Sequence, residues 1–205
     1  MLFRKLQAVV VVAVFWTVGI PDSFAQYGIK RPTQEEYTSA LTIRNIEVKR
    51  LRESSESGQS SRVMPGRFEG FWYRLGVTYE SQKDWADGLV VKYYVLLQEK
   101  TRAEDFTMLV GDIEYDSVPR GTDRRSFMYI HPRTVERYGK PERVMCEIWH
   151  DGVLASREVW PKGTDNEWWV RHKPMAGNLK PGFFTPFILD RDAREENINI
   201  KSIFE

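Results

Sequence analysis

Apolar and polar residues alternate along much of this chain, and that period of two constrains its fold more than any other feature. Successive side chains of a β-strand point to opposite faces, so the alternation predicts strands with one apolar face. It is clearest at 71–79 and 89–98, and Asp87-Gly88 between them predicts a turn. The predicted apolar faces hold Phe71, Tyr73, Leu75, Val77 and Tyr79 in the first segment and Leu89, Val91, Tyr93, Val95 and Leu97 in the second.

Segment 142–160 predicts a β-hairpin, because two alternating runs flank Asp151-Gly152, a dipeptide suited to a two-residue type I′ turn. Such a turn fixes the register. We therefore expect the facing pairs His150/Val153, Trp149/Leu154, Ile148/Ala155, Glu147/Ser156, Cys146/Arg157, Val144/Val159 and Arg143/Trp160. This register puts Val159 on the apolar face and Trp160 on the wetter one. Arg157 also falls on the apolar face, where we expect it to lie near the sheet end or to extend its charge to solvent.

Seven strands are predicted in all, at 43–51, 71–79, 89–98, 106–115, 125–130, 143–150 and 153–160. The fourth changes face after Gly111, which predicts a bulge there. Segment 132–138 predicts a short helix that begins near Pro132 and stops at Gly139. Strands with short turns and no βαβ alternation predict an all-β chain, an immunoglobulin-like antiparallel sandwich with minor short helices. A small closed barrel is the alternative.

Residues 1–25 have the three parts of a cleavable signal peptide. Arg4 and Lys5 precede an apolar run over 8–20, and Ser23-Phe24-Ala25 provides small residues before the cleavage site. That run would span about 20 Å as a helix, too short for a bilayer core of about 30 Å. We therefore expect export to the periplasm, outer membrane or cell surface, with no stable membrane span after cleavage. Residues 26–42 are predicted to form a leader, with a short helix after Thr33.

Composition excludes several classes of function. Of 30 basic and 29 acidic residues, removal of Arg4, Lys5 and Asp22 leaves 28 of each, so the balanced charge argues against a nucleic-acid partner and weakens repulsion between copies. His131, His150 and His172 lack metal-site spacing, and no catalytic or phosphate-binding motif occurs. The sequence thus predicts no enzymatic activity, no cofactor and no metal. The single cysteine, Cys146, is predicted to be buried.

The predicted sandwich domain spans 43–160, and residues 161–205 form an extension rich in proline and aromatic residues. Four prolines confine this extension to edges and coil, so we expect it to pack on the sandwich or on a partner. Exposed aromatic residues are common in protein interfaces and can also stack on sugar rings. Trp72 and Trp85 are expected to pack inside the protein. The candidate interaction surface consists of Trp149, Trp160, Trp168, Trp169, Phe183, Phe184 and Phe187.

With its export signal, its seven alternating segments, the hairpin CEIWHDGVLASREVW at 146–160 and the segment FFTPFILDRD at 183–192, the chain resembles the pilus-like immunoglobulin-fold envelope proteins of Verrucomicrobia. The resemblance covers roughly residue 43 to the C-terminus. It implies an immunoglobulin-like sandwich in a pilus-associated or envelope assembly, without enzymatic activity or cofactor. The signal lacks the features of a major pilin, so an accessory or scaffold role is expected.

Two functions follow as expectations. The first is a non-enzymatic exported structural or interaction protein that contacts itself, as a homo-oligomer, or other pilus or envelope components. The alternative is a carbohydrate-binding module that uses exposed tryptophans to adhere to glycan or mucin.

Overall fold

The computed structural model describes residues 40–52, 70–99, 105–164 and 167–187, which form a protein built mainly of β-strands. The strands are β1 (Leu41–Arg52), β2 (Phe71–Gln98), β3 (Phe106–Ile130), β4 (Lys140–His150), β5 (Val153–Trp160), β6 (Pro174–Met175) and β7 (Leu179–Pro181). One α-helix, α1 (Pro132–Tyr138), lies between β3 and β4, and 3₁₀ helices cover Trp168–Arg171 and Gly182–Phe184. The predicted all-β class is confirmed.

All seven strands described belong to one hydrogen-bonded sheet, in the order β5-β4-β2-β3-β6. β1 pairs with the first half of β2, and β7 pairs with the end of β3. Every pairing of the described strands is antiparallel except that of β6 with β3, which is parallel. β4 pairs with the second half of β2, from Leu89 to Gln98. The two halves of β2 therefore carry different neighbours.

The sheet folds over at a bulge in β2, and this gives the two layers of a sandwich. Ser81 pairs with Gly121 and Trp85 with Pro119, so three β2 residues lie opposite one β3 residue, which bends a strand strongly. Arg120 donates to the Gln82 carbonyl at 2.8 Å and stabilises the bend. Across the interior, the Tyr93 hydroxyl donates to Ser126 Oγ at 2.7 Å and joins the two halves of the β2–β3 hairpin.

The shared interior contains the predicted apolar faces of both β2 segments. From Tyr73 to Leu97 these residues lie in or against the main core, together with Val144, Cys146 and Ile148 of β4, whereas Phe71 lies at its exposed margin. A second bond between the layers runs from the Ile43 amide to Ser156 Oγ, at 3.0 Å. β1 and β5 thus approach each other at this point.

The predicted strand boundaries in the β2–β3 hairpin were wrong. Segments 71–79 and 89–98 form one strand of 28 residues, and 106–115 and 125–130 form one of 25. Asp87-Gly88 makes no turn: Gly88 has φ of 62° but pairing continues through Asp87 and Leu89. Gly111 makes no bulge either. Leu109 and Ile113 face the main core, and Met108 faces a separate apolar cluster on the other side of the sheet.

The hairpin register is as predicted near the turn and shifted by one residue beyond it. His150 pairs with Val153 and Trp149 with Leu154, but a bulge at Ala155 then pairs Ile148 with Ser156 and Glu147 with Arg157. The expected place of Arg157 on the apolar face was therefore wrong, because the shift turns it to the outer face. The same shift moves Trp160 against the main core and Val159 to the outer face.

Helix α1 begins and ends where the sequence predicts. His131 is its N-cap and accepts a hydrogen bond from the Arg133 amide at 3.1 Å, and Pro132 is its first residue. Gly139 follows it with φ of 96°. The predicted signal peptide at 1–25, most of the leader at 26–42 and the end of the extension at 188–205 lie outside the described residues.

Candidate interaction surface

The outer face of the β2-β4-β5 part of the sheet is organised by the carboxylate of Glu147, which is 3% exposed. It accepts hydrogen bonds from Trp149 Nε1 at 2.9 Å and from Arg157 Nε at 2.8 Å. Arg157 Nη2 also lies 2.6 Å from the same carboxylate. A buried carboxylate with several donors fixes the side chains around it, so this arrangement is preformed.

Two cations lie over the tryptophan rings that flank Glu147. The Lys92 ammonium is 4.9 Å from the Trp149 ring centroid, and the Arg157 guanidinium carbon is 5.4 Å from that of Trp169. Burial raises the pKa of the neighbouring Tyr94 hydroxyl, and the negative charge of Glu147 raises it further. The result is a surface of two partly exposed indoles with charged groups fixed beside them. We call Lys92, Glu147, Trp149, Arg157 and Trp169 the tryptophan platform.

Trp168 attaches the extension to the sheet and does not belong to an open surface. It is 1% exposed and packs in a cluster with Leu96, Met108 and Met145. Its ring meets that of Trp169 edge to face, with centroids 5.8 Å apart.

Phe187 makes a second attachment at the opposite end of β2. Its ring stacks on Tyr129 with a centroid distance of 5.4 Å and meets Trp72 edge to face at 5.8 Å. Trp72 is buried, as expected, whereas Trp85 is 62% exposed, so the expectation that Trp85 packs was wrong. Trp85 directly follows the β2 bulge, in which three β2 residues lie opposite one β3 residue.

The remaining predicted surface residues are separated by the fold. Trp160 packs against the main core, while Phe183 and Phe184 contact each other with ring centroids 4.4 Å apart. Phe184 is 45% exposed. The seven residues of the predicted surface therefore form no single patch: Trp149 and Trp169 belong to the tryptophan platform, and Phe184 lies elsewhere on the extension.

Sequence reasoning missed a group of exposed apolar residues at the β6 edge. Phe106, Val170 and Met175 are exposed, Val170 by 73%. The Phe106 ring lies 5.9 Å from that of His172, and Pro174-Met175 forms β6, the last strand on this side of the sheet as described. We call Phe106, Val170, His172, Pro174 and Met175 the edge patch. No periodic pattern in the sequence around these residues signals the edge patch, because their exposure follows from the placement of the extension beside β3.

A small cavity of about 270 Å³ lies between β1 and β5. It is smaller than the roughly 300–1,000 Å³ usual for small-molecule sites. Its lining consists of Arg44, Asn45, Ile46, Glu158, Val159, Trp160, Pro161 and Lys162. This lining brings together no catalytic constellation.

The histidines and the cysteine occupy separate environments. The His131 ring meets that of Trp72 edge to face, with centroids 4.7 Å apart, His172 lies beside Phe106, and His150 Nδ1 lies 3.4 Å from Lys83 Nζ. Burial lowers the pKa of His150, and the Lys83 charge lowers it further. Cys146 is buried, as predicted, and burial raises the pKa of its thiol. Among the described residues, no three His, Cys, Asp or Glu side chains converge to hold a metal ion.

No helix of the described ranges has the length and apolarity needed to cross a membrane.

Comparison with known proteins places the chain in a family and supports its fold. A protein-family model matches residues 69–198, which is more than half of the chain. A crystal structure of a protein from Akkermansia muciniphila is similar in fold, with a TM-score of 0.62 and 15% sequence identity over 78% of this chain and 92% of that one. Akkermansia belongs to the Verrucomicrobia, the group indicated by the sequence resemblance. No curated protein sequence matches the chain.

Proposed function

Because the chain belongs to the family whose model matches residues 69–198, which is not a known enzyme family, we propose that it is an exported, non-enzymatic interaction module of a pilus-like or cell-envelope assembly. Its partners are other envelope proteins or further copies of the chain. The edge patch is the observation that carries this proposal, since it combines exposed apolar side chains with the end of a sheet.

One side of the extension packs on the sheet and the other is exposed, and this division supports a role of the extension in contact with a partner protein. Trp168 and Phe187 bury their rings on the sheet, whereas Val170 and Met175 turn outward. Keeping the Val170 and Met175 side chains in water has a cost in free energy that a bound partner would remove.

The edge patch favours contact through side chains over addition of a strand. β6 has two residues and includes Pro174, and short edge strands with proline resist pairing with another chain. We therefore expect a partner with a complementary apolar surface.

Site-specific photo-crosslinking in the native cell tests the proposal. A benzophenone amino acid at position 170 should yield a crosslinked protein species in the envelope fraction, because Val170 lies in the proposed contact. The same label at the exposed position Asp123, on the β2–β3 hairpin, serves as the control. Absence of a crosslink at 170, or equal crosslinking at both positions, would refute a contact through the edge patch.

A second candidate, glycan binding, is supported by the tryptophan platform. A partly exposed indole with hydrogen-bonding charged groups held beside it is an arrangement that suits a sugar ring, and Trp149 is held by Glu147 beside Lys92. Titration with neutral mucin oligosaccharides should change tryptophan fluorescence in the native protein and not in Trp149→Leu. No change at millimolar sugar in either protein would exclude this candidate.

A further inference from the structure

His150, the last residue of β4, lies between a hydrogen-bond donor and an acceptor. It is 5% exposed and pairs with Leu89 of β2. Its Nδ1 atom is 3.4 Å from Lys83 Nζ and 3.3 Å from a carboxylate oxygen of Asp151, in the β4–β5 turn. A ring nitrogen accepts a hydrogen bond when it is unprotonated and donates one when it is protonated, so Nδ1 cannot accept from Lys83 and donate to Asp151 at the same time.

Lys83 belongs to the bulge at which β2 bends. Three β2 residues there lie opposite one β3 residue, which interrupts the regular pairing of the strands. Arg120 contacts the bulge from the β3 side, with Nε 2.8 Å from the Gln82 carbonyl oxygen and 3.4 Å from the Asp84 carboxylate. His150 contacts it through Lys83 from the β4 side, and β2 lies between β4 and β3 in the sheet. Both neighbours of β2 therefore help to position the bulge.

We propose that His150 is an acid-sensitive contact that holds Lys83 and the β2 bulge at neutral pH and releases them when it is protonated. Neutral His150 accepts a hydrogen bond from the Lys83 ammonium through Nδ1. Protonated His150 donates from Nδ1 to the Asp151 carboxylate instead, and its positive charge repels the nearby ammonium. Protonation thus transfers the contact of His150 from the bulge to the turn.

Charged groups on β2 and in the turn set the pH at which the contact changes. Lys83 opposes protonation of His150, whereas Asp151 and Asp87 favour it. Burial, aided by the Lys83 charge, outweighs the two carboxylates and lowers the pKa of His150 below its ordinary value of 6.5. Release of Lys83 therefore requires mildly acidic conditions.

The expected change is local and lies beside an exposed tryptophan. Trp85 is 62% exposed and directly follows the bulge, and β2 pairs with β3 on both sides of the bulge. We therefore expect the bend to loosen while the rest of the fold remains. This inference goes beyond the proposed protein contact, because the edge patch adjoins β6, which pairs with Met108 and Leu109 of β3.

The test is a pH titration of the purified, isotopically labelled protein by nuclear magnetic resonance, from about pH 7.5 to about pH 5. In the native protein, the His150 ring and the backbone amides of residues 82–85 should titrate with one midpoint, below about pH 6.5. His150→Gln keeps a polar side chain that does not titrate in this range. It should remove the transition from these amides.

Lys83→Met separates the contact with the bulge from the other charges around His150. It removes the ammonium and keeps an unbranched side chain, so the midpoint of His150 should rise by at least about 0.5 pH unit. The amides of residues 82–85 should then lose most of their dependence on pH. The control, Lys180→Met, removes the same charge on β7, which pairs with Met128–Ile130 of β3, and should leave the midpoint unchanged.

Several results would overturn the proposal. The amides of residues 82–85 could stay constant while His150 titrates, or they could change equally in His150→Gln, which would assign their transition to another group such as Asp87 or Asp151. An unchanged His150 midpoint in Lys83→Met would contradict the contact with Lys83. Loss of the whole native spectrum in acid, without a separate change at the bulge, would show that protonation has no local effect there.

Discussion

At the scale of single residues, Glu147 shows how a charge can be buried on the outside of a sheet. Its carboxylate accepts hydrogen bonds from Trp149 and Arg157, and these bonds offset the loss of hydration. Arg157 keeps 42% of its side chain exposed, so solvent screens the pair on one side. The group therefore contributes mainly by fixing the orientation of its neighbours.

Replacement of Glu147 by glutamine should lower the free energy of unfolding by about 1–2 kcal/mol, because two charge-assisted hydrogen bonds weaken while an acceptor oxygen remains. Urea unfolding measures the change. Glu158→Gln, at an exposed position of β5, is the matched control and should change stability by less than about 0.5 kcal/mol. Equal effects of the two substitutions would contradict the structural role of Glu147.

His150 should make stability depend on pH on the acid side. Burial, aided by Lys83, lowers its pKa below the ordinary value of 6.5, so the unfolded chain binds a proton more readily than the native protein. The contribution of neutral His150 to the free energy of unfolding is complete above pH 6.5, and it is lost as the pH falls through the pKa of His150 in the folded protein. Unfolding curves between pH 7.5 and 5 should show a smaller loss of stability in His150→Gln, and an unchanged profile would contradict this assignment.

At the scale of elements, the end of α1 depends on a backbone conformation that only glycine tolerates. Gly139 has φ of 96°, and a Cβ there would lie 1.6 Å from the carbonyl oxygen of Gln98 in β2. The helix end is therefore fitted against the neighbouring strand. Gly163 also has a positive φ, of 81°, but a Cβ there would have no atom within 4 Å.

Gly139→Ala should therefore destabilise the fold by more than about 3 kcal/mol, since backbone strain is joined by a clash with the main chain of β2. Gly163→Ala, which adds backbone strain alone, should cost about 1 kcal/mol. Thermal and urea unfolding of both variants compare them. Similar losses would show that the helix end is not packed as described.

Sequence patterns predicted the elements whose signals are local. The alternation from Leu89 to Leu97, the turn at Asp151-Gly152 and the helix between Pro132 and Gly139 follow from neighbouring residues. The shift at Ala155 did not, because it depends on Ser156 reaching β1 and on Arg157 reaching Glu147. The predicted strands 71–79 and 89–98 form one strand that continues through Gly88. This continuity likewise depends on a distant element, because β2 pairs with β3 along most of its length.

The candidate sites were harder to predict because residues distant in sequence cover the outer faces of the sheet. Trp168 covers Met108 and Met145 there, and Phe187 covers Trp72 and Tyr129. Alternation of apolar and polar residues predicts only one apolar face for each strand, so it does not predict these buried residues on the outer faces. Exposure of Trp85 had no local signal either, since it follows from a bulge that needs Arg120 opposite.

At the scale of the whole molecule, residues 167–187 complete the sandwich by covering apolar side chains on its outer faces. Removal of the chain after Lys162 would expose Met108, Met145 and Tyr129 to water. If such a truncated protein failed to bind a partner, the loss of the binding surface could not be distinguished from the loss of folded structure. Point substitutions on the two sides of the segment separate these effects.

Trp168→Ala should reduce the free energy of unfolding by about 3–5 kcal/mol, because a large buried side chain leaves a cavity over β2, β3 and β4. Val170→Ala, two residues away and largely exposed, should change it by less than about 0.5 kcal/mol. Urea unfolding of both proteins gives the comparison. A small effect of Trp168→Ala would mean that the segment is not part of the folded core.

The docking of this segment is most directly tested by nuclear Overhauser spectroscopy of the purified protein in solution. We expect cross-peaks between the Met108 methyl and the Trp168 indole, and between the Tyr129 and Phe187 rings, since these groups pack together. Absence of both sets of cross-peaks, with random-coil shifts for residues 167–187, would contradict the account.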